Sequence, residues 1–219
     1  MNSKSQPSGT FREVTEEESK EFERILAEAR GGGGNFEERE IEYWKNAKPT
    51  FSDDLIESYN LFINTIYDPK NVLYTSCELD GSPLRAFPNA KVTFIDKNKK
   101  AIDAMKGNEE FQDPRVTLIE GDVKQYQGKR LHDLVILLNP QIKSKVILPY
   151  LSDGGYILAN DYHYNARQLK NIKSVVSRGT IIPRNDVQHT PTRYTPEITG
   201  IGKAADYFWI FQKKIGGIL

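Results

Sequence analysis

The sequence predicts an α/β protein with a doubly wound, mostly parallel, seven-stranded sheet that follows an N-terminal helical extension. After a loose polar tail at Met1–Thr10, helical periodicity marks three segments before residue 70, and from Asn71 onward short runs of Val, Ile, Leu and aromatic residues alternate with polar helical stretches. Such alternation favours parallel strand pairing, because a helix between two strands returns the chain to the same end of the sheet. We therefore expect a helical cap with a flexible tail at 1–70 and an α/β domain at 71–219.

Composition excludes several classes of protein. The 219 residues include 30 basic and 30 acidic side chains, and 38% are hydrophobic, which argues against wholesale disorder and against a binder that is basic all over. No apolar run approaches the roughly 20 residues that span a bilayer. The polar N-terminus and the lone Cys77 lead us to expect a cytoplasmic protein with no membrane partner, in which Cys77 is a packing residue.

Three helices are expected before the sheet. The first runs from the capping-box pair Thr15 and Glu18 to the residue before Gly31, and Gly31–Gly34 forms a flexible joint. This glycine run is no phosphate loop, because no strand precedes it and no Gly-Lys-Ser/Thr follows. The second helix spans Glu37–Lys45, and the third begins after Ser52, which is a favourable N-cap.

The remaining elements follow from apolar runs and helical spacing. The predicted strands are Asn71–Tyr74, Lys91–Ile95, Val116–Glu120, Asp133–Leu138, Tyr156–Asn160, Thr180–Ile182 and Asp206–Gln212. The predicted helices, or shorter substitutes for them, are Pro83–Phe87, Lys99–Lys106, Lys124–Gly128, Ile142–Leu151 and Ala166–Val176. The segment Pro183–Ile201 is expected to be a long loop or a hairpin arm.

Four stretches, in their order and spacing, resemble the class I S-adenosylmethionine-dependent methyltransferases. They are Val72–Asp96, Glu120–Asp122, Asp133–Ile136 and Gly154–Ile157. The resemblance covers the chain from about Asn71 to the C-terminus and implies a Rossmann-like domain with S-adenosylmethionine as the cofactor. The N-terminal helices look like the variable cap that many members place ahead of the first strand.

The resemblance implies four cofactor-binding residues on the second and third strands. Asp96 ends the second strand and would hold the ribose hydroxyls, with Lys97 next to it. Asp122 would meet the adenine amino group, and Val123 would offer its backbone amide to the ring. Capping of the following helix by Asp96 and a simple Gly-Asp turn at Asp122 are the structural alternatives.

The loop after the first strand departs from the family pattern. Ser76, Glu78 and Asp80 stand where alternating glycines are usual, or Gly81 alone fits after a shift of one residue. We include all four as cofactor-binding candidates. The carboxylates could pair with the ammonium of the cofactor's amino-acid part, or their side chains could crowd the site.

Candidate catalytic residues follow the fourth and fifth strands. Asn139 precedes Pro140 and matches half of the motif with which amino-group methyltransferases hold the target nitrogen, so it is also a cofactor-side candidate. Asp161 and His163 follow the fifth strand, and His163 could act as a general base. We expect no metal, because Asn160–Asp161 reverses the metal-ligating pair of small-molecule O-methyltransferases and no second carboxylate ends the fourth strand.

Three functions are compatible with these residues. The first is an S-adenosylmethionine-dependent methyltransferase with an unidentified acceptor. The second is a non-catalytic or altered-cofactor binding module, which the loop without glycines favours. The third is an enzyme similar to aminopropyltransferases or nicotianamine synthase. An NAD dehydrogenase ranks lower, because the first loop contains no Gly-x-Gly-x-x-Gly.

The acceptor side is expected to be basic. Residues 162–219 carry nine basic and three acidic side chains, whereas residues 1–47 carry seven and eleven. We therefore expect a small-molecule or anionic acceptor, over which the loop bearing Arg184, His189, Arg193 and Tyr194 could close. Nucleic acid as a partner and the oligomeric state are left open by the sequence.

Overall fold

The computed structural model describes residues 36–128, 130–138, 140–182, 193–195 and 208–216. The predicted first helix and the joint at Gly31–Gly34 lie outside these residues. Contacts divide the chain into two units, 1–46 and 47–219, and helix α1 (Phe36–Asn46) belongs to the first. The expectation of a separate cap at 1–70 stays a prediction, and the helix that begins after Ser52 lies in the second unit.

Helix α2 (Asp53–Thr65) begins directly after Ser52, which is its N-cap as expected. The Ser52 Oγ accepts a hydrogen bond from the backbone amide of Leu55 at 3.3 Å, which satisfies one of the free amides of the first turn. Tyr59 and Phe62 are fully buried on its inner face. They belong to the apolar cluster on one face of the sheet, so this helix covers that face.

The eight strands of the described chain form one sheet. They are β1 (Asn71–Thr75), β2 (Lys91–Asp96), β3 (Val116–Glu120), β4 (His132–Leu137), β5 (Leu151–Ala159), β6 (Val175–Ile182), β7 (Arg193–Thr195) and β8 (Phe208–Lys213). Their order is β3-β2-β1-β4-β5-β8-β6-β7, and β1 to β5 pair in parallel. Strand β8 runs antiparallel to both of its neighbours, and β7 is an added short edge strand. The predicted doubly wound, mostly parallel sheet is confirmed.

Helices of one to two turns connect the strands. They are α3 (Ser82–Ala86), α4 (Lys99–Lys106) and α5 (Asn165–Lys170), with 3-10 turns at Glu109–Gln112, Val123–Gln125 and Ser144–Tyr150. Strand β5 begins five residues earlier than predicted, at Leu151. The predicted helix Ala166–Val176 is wrong in its second half, because Val175 and Val176 pair with β8 as the start of β6. These β-branched residues gain ladder hydrogen bonds that outweigh a weak helical preference.

Apolar side chains pack on both faces of the sheet. In β1, Val72 and Tyr74 join the cluster under α2, whereas Leu73 joins the opposite cluster with Ile147 and Leu169. The second cluster thus lies beneath the turn Ser144–Tyr150 and α5, and the alternation follows from the two-residue period of a strand. Within the described residues, no helix has the length and apolar character needed to cross a bilayer.

Candidate functional site

The carboxyl ends of β1 and β4 lie side by side at the centre of the sheet, where the chain order reverses direction. From β1 the chain continues to β2 and β3 on one side, and from β4 it continues to β5 on the other. Loops that leave these two strands diverge, which opens a crevice where α/β sheets bind ligands. Most of the site residues predicted from the sequence lie in the loops around this crevice.

Asp96, at the end of β2, connects the loops that follow three strands. Its Oδ2 accepts a hydrogen bond from the backbone amide of Glu78 at 2.8 Å, and its Oδ1 accepts one from Asn98, also at 2.8 Å. Its carbonyl oxygen accepts a third bond, from the amide of Gly121 after β3. Asp96 is 8% exposed, so a nearly buried carboxylate ties together the loops around the crevice.

The loop after β1 keeps a glycine-like backbone without glycines. Ser76 has φ of 54° and Glu78 has φ of 46°, in the left-handed region that side chains with a Cβ disfavour. Both are positions where the resembling family usually has glycines. The amide of Ser76 donates to the carbonyl of Ile95 at 2.8 Å, which together with the Glu78–Asp96 bond holds this strained conformation.

Replacing Glu78 by glycine is expected to raise the free energy of unfolding by about 0.5–1 kcal/mol, because glycine adopts the left-handed region without steric cost. The measurement is the midpoint and slope of urea denaturation. Glu78→Ala serves as the control, since it removes the same charge but keeps the Cβ. An Ala variant as stable as the Gly variant would show that the charge, and not the backbone, is responsible.

Asp80 and Gly81 lie on the supporting side of the loop. The Asp80 carboxylate accepts hydrogen bonds from the Tyr74 hydroxyl at 2.9 Å and from the backbone amide of Ser82 at 2.9 Å. A Cβ on Gly81 would come within 2.7 Å of the Phe51 ring. The structure thus places Asp80 as the residue that anchors the start of α3, and Gly81 as a position of close packing. Their predicted contacts with a cofactor stay predictions.

Asp122 caps the turn that follows β3 and borders a cavity. Its Oδ1 accepts from the amide of Lys124 at 2.9 Å, and its Oδ2 pairs with Lys97 Nζ at 2.9 Å. The Lys124 amide and the Lys97 ammonium lower the pKa of this carboxyl. Val123 is buried beneath the turn, in the cluster that includes Ile147. The structure therefore brings Lys97 and Asp122 together and places Val123 beside them.

The cavity beside Asp122 has a volume of about 460 Å³, within the range of small-molecule sites. Its lining residues are Ile95, Ile119, Glu120, Gly121, Asp122, Gln125, Tyr126, Gln127 and Gly128. Its wall includes Tyr126, whose hydroxyl lies 3.1 Å from Nε2 of the buried His132. Sequence reasoning missed the pair because the two residues belong to different elements and no motif marks their spacing.

The turn after β5 brings a second group of polar side chains to the same edge of the sheet. Asp161 is buried, and its carboxylate accepts from the Arg167 amide at 3.0 Å and pairs with Arg167 Nε at 2.6 Å. The His163 ring packs edge-on against the Tyr162 ring, with the ring centres 4.8 Å apart, and forms no hydrogen bond among the described residues. Arg167 was not predicted from the sequence, where only its charge was visible.

Two further expectations bear on the site. Asn139 lies outside the described residues, as do Arg184 and His189, so their predicted roles stay predictions. Cys77 is 2% exposed, and burial raises the pKa of its thiol well above the ordinary value, as expected of a packing residue. Among the described residues, no group of three or more His, Cys, Asp or Glu side chains is placed to hold a metal ion.

The fold is similar to solved methyltransferase structures. The N-methyltransferase NodS from Bradyrhizobium japonicum WM9, in complex with S-adenosyl-L-homocysteine, aligns with a TM-score of 0.54 and 13% identity, over 78% of this chain and 91% of that one. The StiE O-MT fragment aligns with a TM-score of 0.53 and 14% identity, over 72% of this chain and 73% of that one. The complex of aTrm5 and tRNALeu aligns with a TM-score of 0.51 and 17% identity, over 77% of this chain and 48% of that one.

No protein-family model and no curated protein matches this sequence. At these low identities the structural likeness is evidence about architecture. The parallel strands β1 to β5, with β8 antiparallel beside β5, belong to the architecture over which these structures align. The chain therefore has the class I S-adenosylmethionine-dependent methyltransferase fold.

Proposed function

We propose that this protein binds S-adenosylmethionine at the crevice between β1 and β4 and transfers its methyl group to an acceptor held beyond β5. The observation that carries the proposal is the position of Asp96. Its carboxylate lies at the end of β2 and is tied to a loop that has left-handed backbone at Ser76 and Glu78. A strained loop next to a carboxylate is a costly arrangement that a purely structural turn does not need.

The residues present fit the cofactor. Each oxygen of Asp96 accepts one backbone amide, which leaves one lone-pair position on each for the two ribose hydroxyls. The cavity beside Asp122 and Gly121 is large enough for a purine ring. The left-handed backbone at Ser76 matches what close approach of a ligand to the loop requires.

When bound, S-adenosylmethionine would supply an electrophilic methyl group, whose carbon would accept the acceptor's lone pair as the carbon–sulfur electron pair is released to sulfur. The protein's part is alignment and, for an acceptor that must lose a proton, a base. His163 lies half-buried after β5, and its imidazole can take that proton. Asp161 holds Arg167 in place at the same edge, so its role is to position rather than to react.

Calorimetric titration of the purified protein with S-adenosylmethionine and with S-adenosylhomocysteine tests the proposal. We expect saturable binding of both at one site per chain. Absence of binding by either would overturn the proposal. Binding without methyl transfer to any acceptor in a panel of small molecules, peptides and RNA would instead favour a binding module, for which the side chains of Ser76 and Glu78 in the loop are the motivating feature.

A further inference from the structure

Two highly exposed tyrosines flank His163 in the turn after β5. Tyr162 is 61% exposed and Tyr164 is 60% exposed. Tyr164 has φ of 61°, a left-handed conformation that bulky residues rarely adopt. A left-handed bulky residue beside a second exposed ring is an arrangement that is found more often at ligand-binding sites than in ordinary turns.

Arg167 is fixed beside one of these rings. Its guanidinium carbon lies 5.1 Å from the centre of the Tyr164 ring, and its Nε is bound to the buried Asp161. Among the described residues, the two terminal nitrogens of Arg167 have no further partner. A guanidinium held at one edge and open at the other presents a fork of donors that matches a phosphate or a carboxylate.

The segment that contains this turn has an excess of basic side chains. Residues 140–182 contain six basic and two acidic side chains. Of the two acids, Asp161 is paired with Arg167, and Asp153 is paired with Lys213 at 3.2 Å.

Two more exposed cations, Lys143 and Lys145, are held next to α5. They flank Ser144, whose amide donates to Gln168 Oε1 of α5 at 2.8 Å. The exposed Lys170 lies on α5 itself. Lys170 Nζ lies 3.8 Å from the centre of the Trp209 ring, so Lys143 and Lys145 are the exposed ammonium groups beside α5 that add to the attraction of Arg167 for an anion.

We propose that this turn and α5 form the acceptor site, and that the acceptor is a nucleotide, either free or within a single strand of nucleic acid. The inference rests on the proposed function, because the turn lies at the sheet edge that would hold the methyl donor. A base stacks on an exposed tyrosine ring, and its phosphate accepts hydrogen bonds from the Arg167 fork. An uncharged phenolic acceptor would gain no electrostatic attraction from the basic side chains beside the turn.

Fluorescence anisotropy with a labelled, mixed-sequence, single-stranded RNA tests this, with saturating S-adenosylhomocysteine present. We expect Tyr164→Ala to weaken RNA binding by about tenfold or more, and Tyr164→Phe to bind like wild type because the ring is kept. Arg167→Lys is expected to weaken binding while leaving its salt dependence unchanged, since the charge is kept and the fork is lost. Tyr43→Ala is the matched control, because Tyr43 is 58% exposed and lies on α1 of the other unit.

Competition with mononucleotides and with unlabelled RNA distinguishes the two sources of the nucleotide. Displacement by mononucleotides supports a free nucleotide as acceptor, and displacement by RNA alone supports a nucleic-acid strand. The inference is overturned if the protein binds S-adenosylhomocysteine in calorimetry but neither RNA nor mononucleotides, or if Tyr164→Ala binds RNA like Tyr43→Ala. RNA binding that depends on Tyr164 without any S-adenosylhomocysteine binding would overturn the methyltransferase proposal and support the nucleotide site.

Discussion

Replacing Asp96 by asparagine is expected to weaken binding of S-adenosylhomocysteine by about a hundredfold or more. Hydrogen bonds to a carboxylate contribute about 1.5–3 kcal/mol each, and the proposal assigns two ribose hydroxyls to this one. An amide also turns an NH₂ group toward one of the two backbone amides, of Glu78 or Asn98, that now donate to the carboxylate. Calorimetric titration of wild type and variant gives the ratio of dissociation constants.

A matched control separates this effect from general damage to the fold. Asp133, at the opposite end of β1, also has a carboxylate that accepts two backbone amides. They are the amides of Lys70 at 2.9 Å and of Asn71 at 2.8 Å. Asp133→Asn is therefore expected to lower the free energy of unfolding by an amount similar to Asp96→Asn, about 1–3 kcal/mol, without changing ligand affinity. Equal losses of affinity in the two variants would show that Asp96 acts only through the fold.

The sequence was sufficient to predict a mostly parallel sheet and, to within one residue, the carboxyl ends of its predicted strands, because these depend on local patterns. Helix α4 has the predicted bounds, and β3 does too, since each has a clear period bounded by turn residues. Strand β6 was mostly missed. Its first residues, Val175 and Val176, continue a helical spacing from α5, and only pairing with the distant β8 decides their conformation.

The candidate site was less predictable than the fold. The spacing correctly placed Asp96 at a strand end, but not the bonds by which it holds the neighbouring loop. It also did not show that the Asp80 carboxylate accepts a hydrogen bond from the Tyr74 hydroxyl, or that Asp161 forms a salt bridge with Arg167. These interactions depend on the side-chain orientations that the folded turns impose. The spacing of residues along the sequence does not specify those orientations.

Acidification from about pH 7 to about pH 5 is expected to destabilise the wild-type protein by about 2 kcal/mol more than a His132→Phe variant. His132 is 4% exposed, and burial lowers the pKa of its imidazole to about 4 from an ordinary value of 6.5, with partial opposition from the charge of Asp133. Its Nδ1 is buried without a hydrogen-bond partner among the described residues. The folded protein therefore keeps this ring neutral.

The sign follows from which state takes up the proton first. Between about pH 6.5 and pH 4 the unfolded chain has a protonated His132 and the folded chain does not, so the unfolded state binds more protons and gains stability as the pH falls. The contribution of neutral His132 to stability is thus fully present above about pH 6.5. It is lost progressively toward the folded pKa of about 4.

Urea denaturation at a series of pH values measures this difference, with Tyr126→Phe as the control. That variant removes the hydroxyl 3.1 Å from Nε2 but leaves the imidazole buried, so it should keep the wild-type dependence on pH. A Tyr126→Phe curve as flat as that of His132→Phe would mean that the hydrogen bond, rather than burial, sets the pKa.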